Sequence, residues 1–419
     1  MNAAIQQIHS IIVSPHTPEN IVQELTTDSA TQSATIAFSS RTVTPLSRQN
    51  IHGFLQLGYS PEQIARIQSV GRQVLAETSR GLREIRTIGD YRCVLGNGDA
   101  LVLLNREGDP VLQGKHKSCY PAYSARLCKV LAVLHWHDIS DSPANPLSSE
   151  QRLIFNRENQ TLEDLQRLHT PRIPKYYGKI EIPQFYATLL ELYQTDLMSW
   201  FQFNTDVMEQ PKQSCKTILT IALQIIGGLR TLHQNGFAHG DIKIENIIIK
   251  NHPILEVAIT DFDSLQSVTD LQIVKGTIDY LPPEAIAKHL VHVQRQADSS
   301  DPIDMQKVDM WGFGTILLSL LSGGRAAADL QAAVRCACRR ILETDLPISI
   351  LHERLSTLIP AIQEKMRAHY RAGAVLTDPH HLPPSVLQLG SRLLHINPKD
   401  RPDADEAYAI LSTAYSSVV

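Results

Sequence analysis

The side chains with the clearest chemical potential lie close together between positions 239 and 246. This octet reads HGDIKIEN, and it stands between a helical pattern (Ile218 to His233) and an apolar strand pattern (Ile247 to Ile249). A carboxylate can accept a hydroxyl proton, an ammonium can balance phosphate charge, and an amide oxygen can bind Mg²⁺. The spacing of these groups therefore predicts a loop that supports phosphoryl transfer.

A second acidic segment follows fifteen residues after Asn246. The triplet Asp261-Phe262-Asp263 comes shortly after the apolar run Val257-Ala258-Ile259. A carboxylate at the end of a strand would supply a second oxygen ligand for a divalent cation. The two segments together predict one metal-assisted site.

The elements that must position these segments change in type along the chain. Short strands are predicted from Tyr91, with a hairpin formed by 101–105 and 110–115, followed by a helical pattern over Ala122 to Trp136. A further helix is predicted from about Ser149 to Leu168, a strand over Tyr186 to Leu192, and mostly helices beyond Lys212. Strands first and helices afterwards indicate an α+β fold with two lobes.

The ordered motifs resemble those of the eukaryotic-type protein kinase superfamily. The octet is similar to the catalytic loop H-R-D-x-K-x-x-N, with HGD in place of HRD, and the triplet is similar to D-F-G, with DFD in its place. Further similarities follow in the family's order at Gly276-Thr277, Pro282-Pro283-Glu284, 309–314 and Arg401. The resemblance implies a bilobal protein kinase-like fold, with a small β-rich N-lobe, a larger helical C-lobe and here an N-terminal helical extension.

The resemblance also implies roles for four residues of the two segments. Asp241 would orient and deprotonate the acceptor hydroxyl, and Lys243 would neutralise the transferring phosphate. Asn246 and Asp261 would hold Mg²⁺, with Mn²⁺ as the alternative ion, against the phosphates of ATP. ATP and the metal ion are therefore the expected cofactors.

Nucleotide-binding residues are expected in the N-lobe. Gly96 and Gly98 resemble the phosphate-covering glycine loop, although an ordinary hairpin turn would have the same pattern. Lys115 is preferred as the nucleotide lysine, with Lys117 as the alternative. Its predicted partner is Glu158, because helical spacing places Glu158 on the apolar face of its helix.

The strand over positions 189–193 is similar to the kinase hinge. The backbone of Glu191 and Tyr193 would face the adenine ring.

Composition divides the chain and limits its partners. We expect a flexible Ser/Thr-rich leader at 1–46, a helical hairpin extension at 47–85 and a kinase-like domain at 86–415, with the N-lobe about 86–190 and the C-lobe about 194–415. A net charge of −4 without long single-sign runs argues against nucleic acid as a partner. The sequence contains no stretch of 18 or more apolar residues, so we expect no transmembrane segment.

Six scattered cysteines without a repeated spacing indicate a reduced, cytoplasmic protein. The Ser/Thr-rich leader would also suit a secreted bacterial effector that works in a host cytoplasm.

The expected function is ATP- and Mg²⁺-dependent phosphoryl transfer to Ser or Thr hydroxyls of a protein substrate. Gly240 removes the arginine that a phosphorylated activation loop would contact, so activity without loop phosphorylation is predicted. The alternative is a pseudokinase that acts as a nucleotide-binding scaffold, because Asp263 and the irregular glycine loop depart from the family pattern. A partner would dock through an insertion at 118–149 or through the N-terminal helical hairpin.

Overall fold

The computed structural model divides into two compact units. Unit 1 contains Met1–Glu163 and Lys175–Leu192, and unit 2 contains Asp164–Pro174 and Tyr193–Val419. The structure describes residues 54, 57–78, 81–104, 112–113, 117–137, 147–183, 185–203, 211–250, 254–269, 274, 276–295, 302–322, 325–344, 349–371 and 383–418. The predicted leader lies outside these residues.

Unit 1 is built on an antiparallel sheet of eight strands. The strand order is β1-β2-β3-β5-β6-β8-β7, and β4 pairs with β5. The strands are β1 (Glu84–Ile88), β2 (Tyr91–Gly96), β3 (Asp99–Leu103), β4 (Leu112–Gln113), β5 (Lys117–Ser124), β6 (Lys129–Trp136), β7 (Tyr176–Ile182) and β8 (Phe185–Glu191).

The sheet curls, so that one end of β2 touches β7. The side-chain amide of Asn97 donates to the carbonyl oxygen of Lys179 at 2.7 Å. A Cβ at Gly96 would lie 3.0 Å from a methyl group of Ile180, so a larger residue there would require the Ile180 side chain to shift. Alternate residues of the strands fill the core inside the curl, including Val94, Leu101, Leu131, Val133 and Leu189.

Helix α1 (Pro61–Thr78) covers the other face of strands β2, β3 and β5. The backbone amide of Ser60 donates to Gln63 Oε1 at 2.8 Å, and the Gln63 amide donates to Ser60 Oγ at 3.4 Å. This capping box confirms the second helix of the predicted hairpin. Most of the first helix lies outside the described residues, but Phe54 is fully buried against the same core.

The structure corrects two predictions for unit 1. The segment predicted as a helix over Ala122 to Trp136 forms strands β5 and β6, which pair with each other. A short continuous apolar run suits a strand buried on both faces as well as a helix, so periodicity alone misled the prediction. The predicted hairpin of 101–105 with 110–115 is also wrong, because β3 pairs with β2 and β5 while β4 pairs with β5.

These corrections bear on the predicted docking segment. Residues 118–136 contribute to two sheet strands, and the apolar helix that made 118–149 resemble an insertion is absent from them. Helix α2 (Ser149–Arg167) then follows, as predicted.

Unit 2 is mainly helical. A small sheet of order β12-β11-β9 and the pair β10-β13 carry its loops. The strands are β9 (Thr195–Asp196), β10 (Phe237–Ala238), β11 (Ile247–Lys250), β12 (Glu256–Ile259) and β13 (Gln266–Ser267). The helices are α3 (Leu197–Phe203), α4 (Pro211–Gln234), α5 (Pro283–Arg295), α6 (Met305–Ser322), α7 (Arg325–Thr344), α8 (Ser349–Arg371), α9 (Pro384–Leu393) and α10 (Ala404–Val418).

Helix α6 is the centre of unit 2. Its buried residues cover all of its faces, as expected for a helix enclosed by others. In α4, the stretch Cys215–Gln234 is long and apolar enough to cross a membrane, but 67% of it is buried, which is typical of a core helix.

Candidate active site

The octet 239–246 forms a loop between β10 and β11 whose polar groups hold one another. Lys243 Nζ lies 2.6 Å from Asp241 Oδ2 and donates to Thr277 Oγ1 at 2.8 Å. The backbone amide of Thr277 donates to Asp241 Oδ1 at 2.7 Å. Both oxygens of the Asp241 carboxylate are thereby fixed in direction.

Asn246 completes this group from the short helical turn Ile244–Asn246. Its side-chain NH₂ donates to the backbone oxygen of Asp241 at 2.9 Å and to Asp241 Oδ2 at 3.2 Å. Because an amide donates only through nitrogen, its carbonyl oxygen is the end suited to a cation. The backbone amide of Thr260 donates to the backbone oxygen of Asn246 at 2.9 Å, so the segments that carry Asn246 and Asp261 are tied together.

Helix α6 anchors the start of the loop through Asp309. This carboxylate is fully buried and accepts the backbone amides of His239 at 2.7 Å and Gly240 at 2.8 Å, together with the His233 imidazole at 2.9 Å. The His239 ring is buried, and its Nε2 lies 3.1 Å from the carbonyl oxygen of Thr260. The Asp309 side chain thus fixes the backbone at the start of the loop.

Two glycines allow the chain to pass closely at this point. Gly240 has φ +81°, and a Cβ there would lie 2.7 Å from the carbonyl oxygen of Ser264. A Cβ at Gly276 would lie 2.6 Å from the carbonyl oxygen of Gly240. An arginine at position 240 would therefore meet both an unfavourable backbone conformation and a close carbonyl group.

In the triplet 261–263, the unfavourable backbone conformation is at the first residue, Asp261. Asp261 adopts φ +68° and ψ +73°, which are left-handed values, and a short helical turn runs from Phe262 to Ser264. Asp263 lies inside this turn and has no positive φ. The glycine of the family pattern is therefore not required at position 263 for this conformation.

Glu284, at the start of α5, forms hydrogen bonds with the buried side chain of Arg401. Arg401 Nη1 and Nη2 donate to the two carboxylate oxygens of Glu284 at 2.6 and 2.9 Å, and the guanidinium lies 5.0 Å from the Trp311 ring centre. The side chains of Glu284 and Arg401 thus form a bidentate ion pair. It fixes the start of α5 against α6.

Two lysines, Lys115 and Lys117, are the candidates for the predicted nucleotide lysine of the N-lobe. Lys115 lies outside the described residues. Lys117, the alternative, has its ammonium 3.0 Å from Glu158 Oε1 and 2.9 Å from Oε2. Glu158 is buried, in keeping with its predicted place on the core side of α2.

The predicted glycine loop is the turn between β2 and β3. Asn97 and Gly98 both have positive φ, at 51° and 75°, which is typical of a two-residue hairpin turn. Gly96 packs against β7, as described above. The role of Gly96 and Gly98 in covering phosphates stays a prediction, because a phosphate-covering glycine loop and an ordinary hairpin turn share this backbone geometry.

The predicted hinge residues lie on either side of the division between the units. In unit 1, Glu191 ends β8, and its backbone amide donates to the carbonyl oxygen of Lys175 at 2.8 Å. In unit 2, the ring of Tyr193 lies 4.3 Å from the Lys250 ammonium.

Comparison with known proteins decides the family. Residues 114–411, more than half of the chain, match the family profile described as "Protein kinase domain". The chain belongs to the protein kinase family. The α+β fold predicted from the motifs, with a β-rich N-lobe in unit 1 and a helical C-lobe in unit 2, is thereby confirmed.

Several curated proteins are similar to this chain. The chain is 29% identical over 42% of its length to serine/threonine-protein kinase RAD53 of Saccharomyces cerevisiae, and 31% identical over 42% to serine/threonine-protein kinase cds1 of Schizosaccharomyces pombe. It is 25% identical over 64% to the human TBC domain-containing protein kinase-like protein. The matched part covers 21%, 36% and 28% of these relatives respectively.

Two polar residues of this kinase's site were not singled out as site residues from the sequence. Thr277 forms hydrogen bonds with both Lys243 and Asp241, and the Asp309 carboxylate accepts a hydrogen bond from the backbone of the 239–246 loop. Both lie within motifs that had been recognised, so the family pattern was the available signal. The spacing of nearby residues cannot predict these hydrogen bonds, because the partners are 34 to 76 residues away in the sequence.

Proposed function

We propose that this kinase transfers the γ-phosphoryl group of ATP to Ser or Thr hydroxyls of a protein substrate. The observation that carries the proposal is a hydrogen-bonded cluster of four residues: Asp241, Lys243, Asn246 and Thr277. In it Asp241 accepts the hydroxyl proton, and the Lys243 ammonium, 2.6 Å away, balances charge on the transferring phosphate. Such a rigid arrangement lowers the barrier because no reorganisation is needed at the moment of reaction.

A divalent cation fits the oxygen donors of this site. Asn246 offers an amide oxygen and Asp261 a carboxylate, which are the hard ligands that Mg²⁺ prefers. When bound, Mg²⁺ would neutralise charge on the nucleotide phosphates. The hydrogen bond from the backbone amide of Thr260 to the backbone oxygen of Asn246 supports a joint role for Asn246 and Asp261.

Serine and threonine are the proposed acceptors. Lys243 two positions after Asp241, bonded to Thr277, is the serine/threonine arrangement of the family. The likeness to kinases named as serine/threonine-protein kinases supports the same choice.

Activity without activation-loop phosphorylation is also part of the proposal. At position 240 the site has a glycine with φ +81° in place of an arginine, so a phosphate on the loop finds no cation there. The loop start is instead held by backbone pairing of Phe237 with Ser267 and Ala238 with Gln266. Alanine at Ser264, Ser267 or Thr269 should therefore leave activity intact, and a complete loss in any one would contradict this part.

The test is transfer of labelled phosphate from ATP to a generic basic protein, followed by identification of the labelled amino acid. Asp241→Asn should lower the rate by about 10²- to 10⁴-fold without loss of nucleotide binding, because only the proton acceptor is removed. Asp405→Asn is the matched control, since Asp405 pairs with Arg230 on the exposed surface of the same lobe. Equal labelling by wild type and Asp241→Asn would refute the proposal.

The pseudokinase alternative predicts a different result in the same assay. It is favoured by Leu134 on β6, because β6 directly precedes α2 and its run Leu131-Ala132-Val133-Leu134 has leucine where the V-A-I-K pattern of an active kinase has lysine. A wild-type protein that binds nucleotide and transfers no label would support it.

A further inference from the structure

Lys117 and Glu158 form a buried ion pair in unit 1. The side chains are 14% and 3% exposed, and the ammonium contacts both carboxylate oxygens at 2.9–3.0 Å. The ammonium also lies 4.5 Å from the ring centre of Trp136. A buried pair persists only with good geometry of this kind, because both ions have lost their hydration.

The lysine of this pair comes from an unexpected strand. In protein kinases the lysine that pairs with the helix glutamate belongs to a V-A-I-K sequence. Here the strand directly before α2 is β6, and its matching residues are Leu131-Ala132-Val133-Leu134, with leucine in the last place. Lys117 lies on β5, the neighbouring strand.

The register of the two strands explains how Lys117 can replace the missing cation. Lys117 pairs with Trp136, and Cys119 pairs with Leu134. Since alternate residues of a strand share a face, Lys117 and Leu134 project from the same face of the sheet. Neighbouring strands are only about 4.8 Å apart, a distance that the four-carbon stem of lysine spans.

The lysine that β6 does carry is engaged elsewhere. Lys129 stands at the start of β6, and its ammonium donates to the hydroxyl of Tyr177 at 2.7 Å and lies 4.7 Å from that ring centre. It projects from the opposite face to Leu134, because the two residues are five positions apart, and only residues an even number of positions apart share a face of a strand.

We propose that Lys117 is the lysine that binds the ATP phosphates in this protein, and that Leu134 fills the place of the V-A-I-K lysine. This inference rests on the proposed ATP-dependent function. Glu158 holds the Lys117 ammonium in position, and an ammonium with three donors can bond a carboxylate and a phosphate together.

The experiment uses the full chain and two readouts, binding of a fluorescent ATP analogue with Mg²⁺ and transfer of labelled phosphate. Lys117→Met should lower kcat/KM by about 10²- to 10³-fold, the loss typical of removing one charge-stabilising group. Lys129→Met, on the other face of the sheet, should leave both readouts unchanged. The double variant Lys117→Met/Glu158→Gln leaves no buried unpaired carboxylate, so it keeps the fold testable and should show the same loss.

A relocated lysine separates a chemical role from a structural one. Leu134→Lys in the Lys117→Met background should restore at least part of the lost transfer, because the ammonium returns on the same face. Full activity of Lys117→Met, or a larger loss from Lys115→Met than from Lys117→Met, would overturn the inference. Wild-type binding of the analogue without transfer would refute the kinase function alone, since Lys117→Met must still weaken that binding. No binding by wild type would refute both.

Discussion

Replacement of Arg401 by methionine tests how much the buried Glu284–Arg401 pair contributes to the helical lobe. The guanidinium is fully buried and makes five hydrogen bonds, two to Glu284 and one each to the backbone oxygens of Lys307, His395 and Ile396. Methionine fills much of the same volume but leaves these acceptors without their donor. Loss of one partner of a buried pair typically costs about 3–5 kcal/mol.

The measurement is thermal unfolding followed by circular dichroism. In a unit of this size, 1 kcal/mol lowers the Tm by about 2–4 °C, so Arg401→Met should lower it by about 6–20 °C. Arg392→Met is the matched control, because Arg392 pairs with Glu406 on the surface with about half of each side chain exposed. That exposed pair should contribute only about 0–1 kcal/mol. Equal shifts for the two variants would refute the reasoning from burial.

Three further outcomes are expected. Burial lowers the pKa of His135 to about 4, with His137 and Arg92 adding to the effect; the unfolded chain therefore binds the extra proton first, and stability should fall from pH 6.5 towards 4 by up to about 1.4 kcal/mol per unit. His135→Phe should flatten that part of the stability curve measured by urea unfolding, and an unchanged slope would contradict the assignment. Gly240→Ala should cost about 1–2 kcal/mol for its left-handed φ alone, and a Tm equal to wild type would argue against that conformation. Burial raises the pKa of the Cys93 thiol to about 11, so iodoacetamide should label exposed Cys336 well before Cys93 in the native protein, as mass spectrometry can follow.

Much of the site could be predicted because its groups are close in sequence. Asp241, Lys243 and Asn246 lie within six residues, and the structure joins all three by hydrogen bonds. The helix α1 was predicted equally well, since the capping box of Ser60 and Gln63 acts over a single turn. Their catalytic and metal-binding roles stay predictions until the activity is measured.

The predictions that failed depend on distant neighbours. Residues 129–136 form a strand because β5 and β8 bond to them on both sides, and no local pattern shows those partners. The predicted hairpin of 101–105 with 110–115 failed for the same reason, because β3 pairs with β2 and β5 and β4 pairs with β5.

The sequence by itself determined that this chain belongs to the protein kinase family, that Asp241, Lys243 and Asn246 share one loop, and that a helix lies between positions 47 and 85. Those features rest on short-range spacing and capping, which a linear pattern contains. Only the tertiary structure decided that Lys117 is the lysine bound to Glu158, 41 residues further along, and that Asp309 supports the loop 69 residues before it. Such contacts arise from strand register and helix packing, because folding brings together residues whose separation in sequence carries no information about their distance in space.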